Sequence, residues 1–242
     1  MKKHIPNLLT LGNLFCGTIA TIAAVQQNYI TAAIFVAIGV FLDFLDGLAA
    51  RLLKVSGDLG KQLDSLADVV TSGVVPGIIM FGLLSNDEII DVFHENWFGF
   101  EFRMIQLLGL LLTLGACYRL AKFNIDTRQN DSFIGLPTPA MSLFIISLPL
   151  IQEYSNFDMV KDLITNDYFL ITITFLLTYL MNSEIHLLSL KFKDFSFRNN
   201  VVKLLFLISS VILIILLDYI SIPIIIIFYI ILSFLSDFSK KN

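Results

Sequence analysis

The sequence predicts an all-α, polytopic integral membrane bundle of about eight transmembrane helices, with both termini in the cytoplasm. Three observations carry this reading. The 242 residues are 56% hydrophobic and only 15% charged, against about 25% charged in an ordinary soluble domain. The mean hydropathy is +0.81. The apolar residues also fall in runs long enough to cross a bilayer, which takes roughly 20 residues as helix.

Eight such runs follow one another: 8–25, 30–53, 62–84, 104–121, 137–151, 168–186, 201–217 and 219–236. Lipid offers the backbone no hydrogen-bond partners, so runs of this kind are expected to be helices. The fifth run is short, and the last two are divided by little more than Asp218. The first lacks a small-residue cleavage site and carries Pro6-Asn7 where a leader would still be basic, so it reads as a span and not as a signal peptide.

Charge in the loops orients the bundle. With the N-terminus inside and the spans alternating, fourteen of the sixteen Lys and Arg residues fall on the inner side, leaving only Arg103 and Lys161 outside. Basic residues collect on the cytoplasmic side, so both termini are expected there. Without an internal repeat or a Ser, Pro or Gly-rich boundary, residues 1–242 read as one membrane domain. Residues 1–190 would form a six-helix core and 191–242 an added helical hairpin. The loop 86–103 contains Trp97, Phe98 and Phe100, as a segment at the outer interface would. A net charge of −4 gives no basic stripe for nucleic acid.

Asp43 and Asp46 interrupt the inner half of the second run, and Asp64 and Asp68 the start of the third. A carboxylate in a transmembrane helix costs at least about 2.5 kcal/mol near the centre and marks a functional site. Spacings of three and four place each pair on one helix face. The short inner turn 51–60 makes the two helices antiparallel neighbours whose acidic faces converge. Four converging carboxylates repel one another unless cations intervene, and oxygen ligands suit hard ions such as Mg²⁺ or Mn²⁺. Four acids supply charge for two ions, the arrangement that clamps the attacking and departing oxygens of a phosphoryl displacement. A proton or cation pathway also uses intramembrane acids and stays open on spacing alone.

The surrounding residues favour phosphate chemistry. The string is Asp43-x2-Asp46-Gly47-x2-Ala50-Arg51-x8-Gly60-x3-Asp64-x3-Asp68. Gly47 and Ala50 are small and follow the acidic face, letting a bulky ligand approach. Arg51 carries a fork suited to phosphate oxygens. Gly57 and Gly60 allow backbone amides near an anion.

With eight specified positions across residues 43–68, this string resembles the signature of the CDP-alcohol phosphatidyltransferase family, polytopic membrane enzymes that exchange the CMP of a CDP-linked lipid for an alcohol. The resemblance implies that Asp43, Asp46, Asp64 and Asp68 bind metal, with Asp68 also the general base. It implies that Gly47 and Arg51 hold the CDP moiety, with Ala50, Gly57 and Gly60 beside them. Pro6-Asn7-Leu8-Leu9-Thr10 resembles the family's N-terminal segment near the nucleotide, where Asn7 and Thr10 are ligand or helix-cap candidates.

The next inner segment, Tyr118-Arg119-Leu120-Ala121-Lys122-Phe123-Asn124, is followed by Phe133-Ile134-Gly135-Leu136-Pro137-Thr138-Pro139-Ala140. Together they resemble the bacterial and archaeal phosphatidylserine synthase branch, which usually has Arg where Lys122 stands. Arg119, Lys122 and Asn124 are therefore candidates for binding the acceptor or a phosphate. What the resemblance implies is transfer of a phosphatidyl group from CDP-diacylglycerol to L-serine, with Mg²⁺ or Mn²⁺ as cofactor, in a bacterial or archaeal cytoplasmic membrane with the site facing the cytoplasm. Homodimers are common in the family. Other acceptors, such as glycerol 3-phosphate or inositol phosphate, are the nearer alternative, and a cation- or proton-coupled transporter is the distant one. With no Cys or His nucleophile close by, direct attack is favoured over a covalent intermediate.

The remaining polar residues read as structural. Cys16 and Cys117 are expected to pack as small apolar groups. His4, His94 and His186 are scattered. Asn182, Glu184 and His186 fit the inner interface. Asn130-Asp131-Ser132 matches a glycosylation sequon by chance, and Gly60-Lys61 lacks the context of a phosphate-binding loop.

Overall fold

The computed structural model describes residues 4–55, 57–85, 94–97, 100–126, 133–187 and 197–241. Phe98 and Asn130, Asp131 and Ser132 lie outside these, as do the side chains of Trp97 and Phe100.

Each apolar run becomes a helix. They are α1 (His4–Val25), α2 (Tyr29–Leu53), α3 (Asp58–Val69) continuing through a π-helical segment (Val70–Val74) into α4 (Val75–Leu83), α5 (Leu111–Ile125) after a 3₁₀ stretch (Met104–Leu110), and α6 (Thr138–Tyr154). A short α7 (Asp158–Thr165) precedes α8 (Asp167–Asn182), and α9 (Phe197–Leu217) and α10 (Ser221–Lys241) close the chain. Two antiparallel ladders of two strands each lie outside the helices: β1 (His94–Trp97) with β2 (Phe100–Arg103), and β3 (Phe133–Ile134) with β4 (His186–Leu187).

Among the described residues, five segments are long and apolar enough to cross a membrane: His4–Val25, Tyr29–Leu53, Asp58–Leu83, Met104–Ile125 and Asn200–Leu235. The pair α7 and α8, bent by 74°, makes a sixth if counted as one span. This count is lower than eight for two reasons. First, α6 has only 17 residues, about 25 Å of helix. Second, Asn200–Leu235 doubles back: the Phe206 ring lies 6.0 Å from Phe228 and 5.8 Å from Tyr229, whereas 22 residues of straight helix would separate them by about 33 Å. The reversal falls at Asp218, whose φ is +46°, and Ser221 Oγ donates to its carbonyl.

Three boundaries differ from the hydropathy reading. The third helix starts at Asp58, four residues before the apolar run, because a polar turn stays helical where water satisfies its first N–H groups, and an acidic residue there suits the helix dipole. Gly60 accordingly sits in the first turn of α3 and not in the connecting loop, which reduces to residues 54–57. The segment between α6 and α8 holds the unanticipated α7.

Large apolar side chains remain exposed along the outside of α2, namely Ile34, Ile38, Phe41, Phe44, Leu48 and Leu52. Such a stripe is foreign to a soluble monomer and fits lipid contact in an all-α membrane protein. Cys117 of α5 is exposed, contrary to the expected packing, while Cys16 is buried. Inside, α1 and α2 pack along small residues, with Ala20, Ala24, Ala32 and Ala33 buried between them. Close helix approach through small side chains is how membrane helices associate. The bulkier core, including Ile79, Met80, Leu112, Met141, Ile145, Leu148, Leu170 and Leu177, fills the space among α4, α5, α6 and α8. The α9–α10 hairpin rests on α6.

Candidate active site

Asp43 and Asp46 stand in the last three turns of α2, and Asp64 and Asp68 in the second half of α3. The two helices run antiparallel, yet their backbones approach little. Each packs instead on α1, which lies against both. The acids therefore reach across a gap, and one carboxylate oxygen from each of Asp43, Asp64 and Asp68 lies within 4.8 Å of the other two. Asp46 does not join this triad. It is 7% exposed and accepts a hydrogen bond from Thr10 Oγ1 of α1.

The donor set suits a hard divalent cation. All three are carboxylates, none pairs with a Lys or Arg among the described residues, and opposite ligands of a Mg²⁺-sized ion stand at most about 4.2 Å apart. A cation resolves the mutual repulsion of three such groups in a low-dielectric setting.

Beside the triad opens a cavity of about 560 Å³. Its wall includes Asn7, Thr10, Asp46, Gly47, Ala50, Gly57, Gly60 and Asp64, together with His4 and Lys61. A methyl group built on Gly47 or Gly57 meets nothing within 4 Å, so both glycines front open space. At Gly60 the same methyl stands 3.4 Å from Asn7 Oδ1. Arg51 departs from its expected place. It does not line this cavity, and its Nε donates to the Gly47 carbonyl of its own helix at 3.0 Å.

The C-terminal end of α5 closes the other flank. Asn124 Nδ2 donates to Ser65 Oγ at 2.8 Å, and the Asn124 carbonyl accepts from Lys61 Nζ at 2.6 Å. Arg119 is buried and attracts Asp68 electrostatically. Lys122 turns outward to Glu184, 3.6 Å away. The β3–β4 segment pins this end to α8: Gly135 N–H donates to the Ile185 carbonyl at 2.9 Å and Leu136 N–H to that of Leu180 at 3.0 Å. Gly135 has φ +73° and packs against the Met181 carbonyl, a position that only glycine takes without strain.

The family sequence model for CDP-alcohol phosphatidyltransferase matches residues 3–181. The chain belongs to that family. The match takes in α1 through α8 nearly whole and stops before the α9–α10 hairpin. The CDP-diacylglycerol–serine O-phosphatidyltransferase of Bacillus subtilis is 34% identical over 150 residues, covering 60% of this chain and 75% of that protein. The protein of the same name from Helicobacter pylori J99 is 32% identical over 155 residues, 63% of this chain and 60% of the relative. Archaetidylserine synthase of Methanothermobacter thermautotrophicus is 31% identical over 156 residues, again 63% and 60%. The chain thus spans only about three fifths of the latter two. As a family member it is a membrane transferase of phospholipid synthesis.

Asn13 is a residue that sequence reasoning passed over. Fully buried, it donates from Nδ2 to Asp68 Oδ1 at 3.2 Å, and its carbonyl accepts from Thr71 Oγ1 at 3.2 Å. Its signal was present: Pro6, Thr10, Asn13 and Gly17 repeat at helical spacing and are all buried. Gly39 makes room for it, since a methyl there would stand 2.8 Å from Asn13 Oδ1. His4 and Lys61, read as unremarkable, line the cavity. The π-helical turn directly after Asp68 has no sequence signature, although such turns concentrate at functional sites.

Proposed function

We propose that this chain transfers a phosphatidyl group from CDP-diacylglycerol to L-serine, forming phosphatidylserine and releasing CMP. The observation that carries the reaction class is the carboxylate triad opening beside a cavity of about 560 Å³. The choice of serine rests on the relatives' names: bacterial and archaeal matches differ in the lipid they name and agree on serine.

In this reading the CDP head lies in the cavity fronted by Gly47, Ala50, Gly57 and Gly60, with Asn7 and Thr10 at its wall and the acyl chains running out between helices. Asp43, Asp64 and Asp68 hold divalent metal, Mg²⁺ or Mn²⁺, with Asp46 completing a two-ion site. Bound there, metal would neutralise the pyrophosphate and the charge that develops on it during displacement. Asp68 takes the proton of the serine hydroxyl, a role in which geometry outweighs basicity. Asn13 keeps its carboxylate aimed, and Arg119 supplies the cationic partner for the serine carboxylate. Attack is direct and in line. We further propose that all eight long helices cross the bilayer, which places both termini and the acids on the cytoplasmic side of a bacterial or archaeal membrane. Residues 1–190 then form the catalytic core and 191–242 an accessory hairpin.

The test is CMP release from CDP-diacylglycerol supplied in turn with serine, glycerol 3-phosphate and inositol phosphate. Release that requires serine supports the assignment. Release indifferent to serine overturns it.

A further inference from the structure

Among the buried polar atoms of α5 and α8 without a hydrogen-bond partner are Arg119 Nε and Asn182 Oδ1. Both residues line one small cavity of about 10 Å³, about the space that a single water needs. The other polar side chains lining that cavity are engaged. Lys122 faces Glu184 at 3.6 Å, Ser183 Oγ donates to the Leu180 carbonyl at 2.9 Å, and Asp126 has interactions of its own.

The chemistry of the two atoms is complementary. Arg119 is 8% exposed, and its Nε–H can only donate. The Asn182 amide has one possible orientation, because Nδ2 donates to the Gly115 carbonyl at 3.2 Å and to the Thr178 carbonyl at 3.0 Å. A flipped amide would set oxygen against two oxygens, so Oδ1 is left as an acceptor. One water accepting from Nε–H and donating to Oδ1 satisfies both. It would also fix the plane of a guanidinium close enough to Asp68 to attract it.

We propose that Asn182 is a positioning residue for the acceptor: through one bound water it orients Arg119 so that the terminal guanidinium nitrogens meet the carboxylate of an amino-acid acceptor arriving at Asp68. The inference rests on the serine reading above. It assigns a role to a residue that neither binds the nucleotide nor touches the carboxylate triad.

The experiment measures CMP release by the full-length enzyme against serine and against CDP-diacylglycerol. Asn182→Leu is expected to raise the KM for serine on the order of tenfold, the scale of one hydrogen bond to a charged group, and to leave the KM for CDP-diacylglycerol unchanged. Gly115→Ala is expected to act in the same direction without removing any polar atom, because its methyl would stand 2.8 Å from Thr178 Cγ2 and 3.2 Å from Asn182 Nδ2, displacing the amide together with the turn that holds it. It serves also if Asn182→Leu fails to fold. In an Arg119→Lys background, adding Asn182→Leu should move the serine KM by less than about twofold, since the residue then has no Nε–H to act through. An unshifted serine KM in both variants, a parallel rise in both KM values, or independent effects in the double variant would overturn the inference alone. Wild-type release indifferent to serine would instead overturn the serine reading beneath it.

Discussion

Gly47→Ala separates a binding role from a structural one, because the two predict opposite signs. Gly47 lies in the interior of α2, where alanine is favoured over glycine by about 0.8–1 kcal/mol. The added methyl meets no protein atom within 4 Å, so no packing cost opposes that gain. The variant should unfold at a temperature about 2–4 °C higher than the wild type. The same methyl projects into the 560 Å³ cavity. If the CDP head fills that space, crowding it should cost about 1–3 kcal/mol, roughly 5- to 150-fold in KM for CDP-diacylglycerol. The assay pairs thermal unfolding in detergent with CMP release over a range of CDP-diacylglycerol concentrations. A more stable protein with an unchanged KM for the CDP-lipid would refute the placement of the nucleotide. Gly39→Ala is the control of opposite character. Its methyl would stand 2.8 Å from both Asn13 Oδ1 and Thr71 Cγ2, well inside normal contact of about 3.5–4.0 Å, so it should lose stability and turnover together.

Asp68→Asn should abolish turnover while CDP-diacylglycerol still binds, as followed by retention of a labelled CDP-lipid; normal activity would remove the base assignment. Chelation of divalent ions should stop CMP release reversibly, with Mg²⁺ or Mn²⁺ restoring it, and activity persisting in chelator would eliminate the metal site. Thr10→Val removes the hydroxyl that Asp46 accepts from. About 1.5–3 kcal/mol of charge-assisted hydrogen bonding goes with it, read as a 10-fold or greater drop in kcat/KM with the fold retained by circular dichroism.

The acids were legible in the sequence because a carboxylate inside an apolar run is anomalous by composition alone, and their spacing put each pair on one face. The helices were legible for a related reason: hydrophobic length leaves little choice of backbone in lipid. What escaped was everything fixed by contact between helices. Asp46 has the same spacing from Asp43 as any pair on one face, yet Thr10 of another helix draws it out of the triad. Asn13 is one polar residue in an apolar run, and its meaning depends on Asp68, fifty-five positions away. Arg51 looked like a phosphate clamp, but its own helix offers a carbonyl within reach. Asn182 read as interfacial because the sequence does not say that Gly115 and Thr178 take both its amide hydrogens. The 74° bend before α8 likewise lies at the cap on Asn166, which accepts from Phe169 N–H at 3.2 Å, after a short amphipathic α7 too polar for hydropathy to mark.

The π-helical turn at Val70–Val74 acts as a phase shifter in the third span. Each residue of an α-helix advances the side-chain direction by about 100°, and the wider turn absorbs one extra residue without breaking the rod. Below it the chain points carboxylates at α2, and above it Ile79 and Met80 point into the bulky core. Removing a single amino acid between 70 and 74 would therefore let the turn close to regular α-helix with Asp64 and Asp68 still facing Asp43, whereas one removed from the regular helix between 75 and 78 would swing them by about 100° against the core. Substitutions along this span are local events; a one-codon deletion outside the wide turn is a rotation of its whole carboxylate-bearing end.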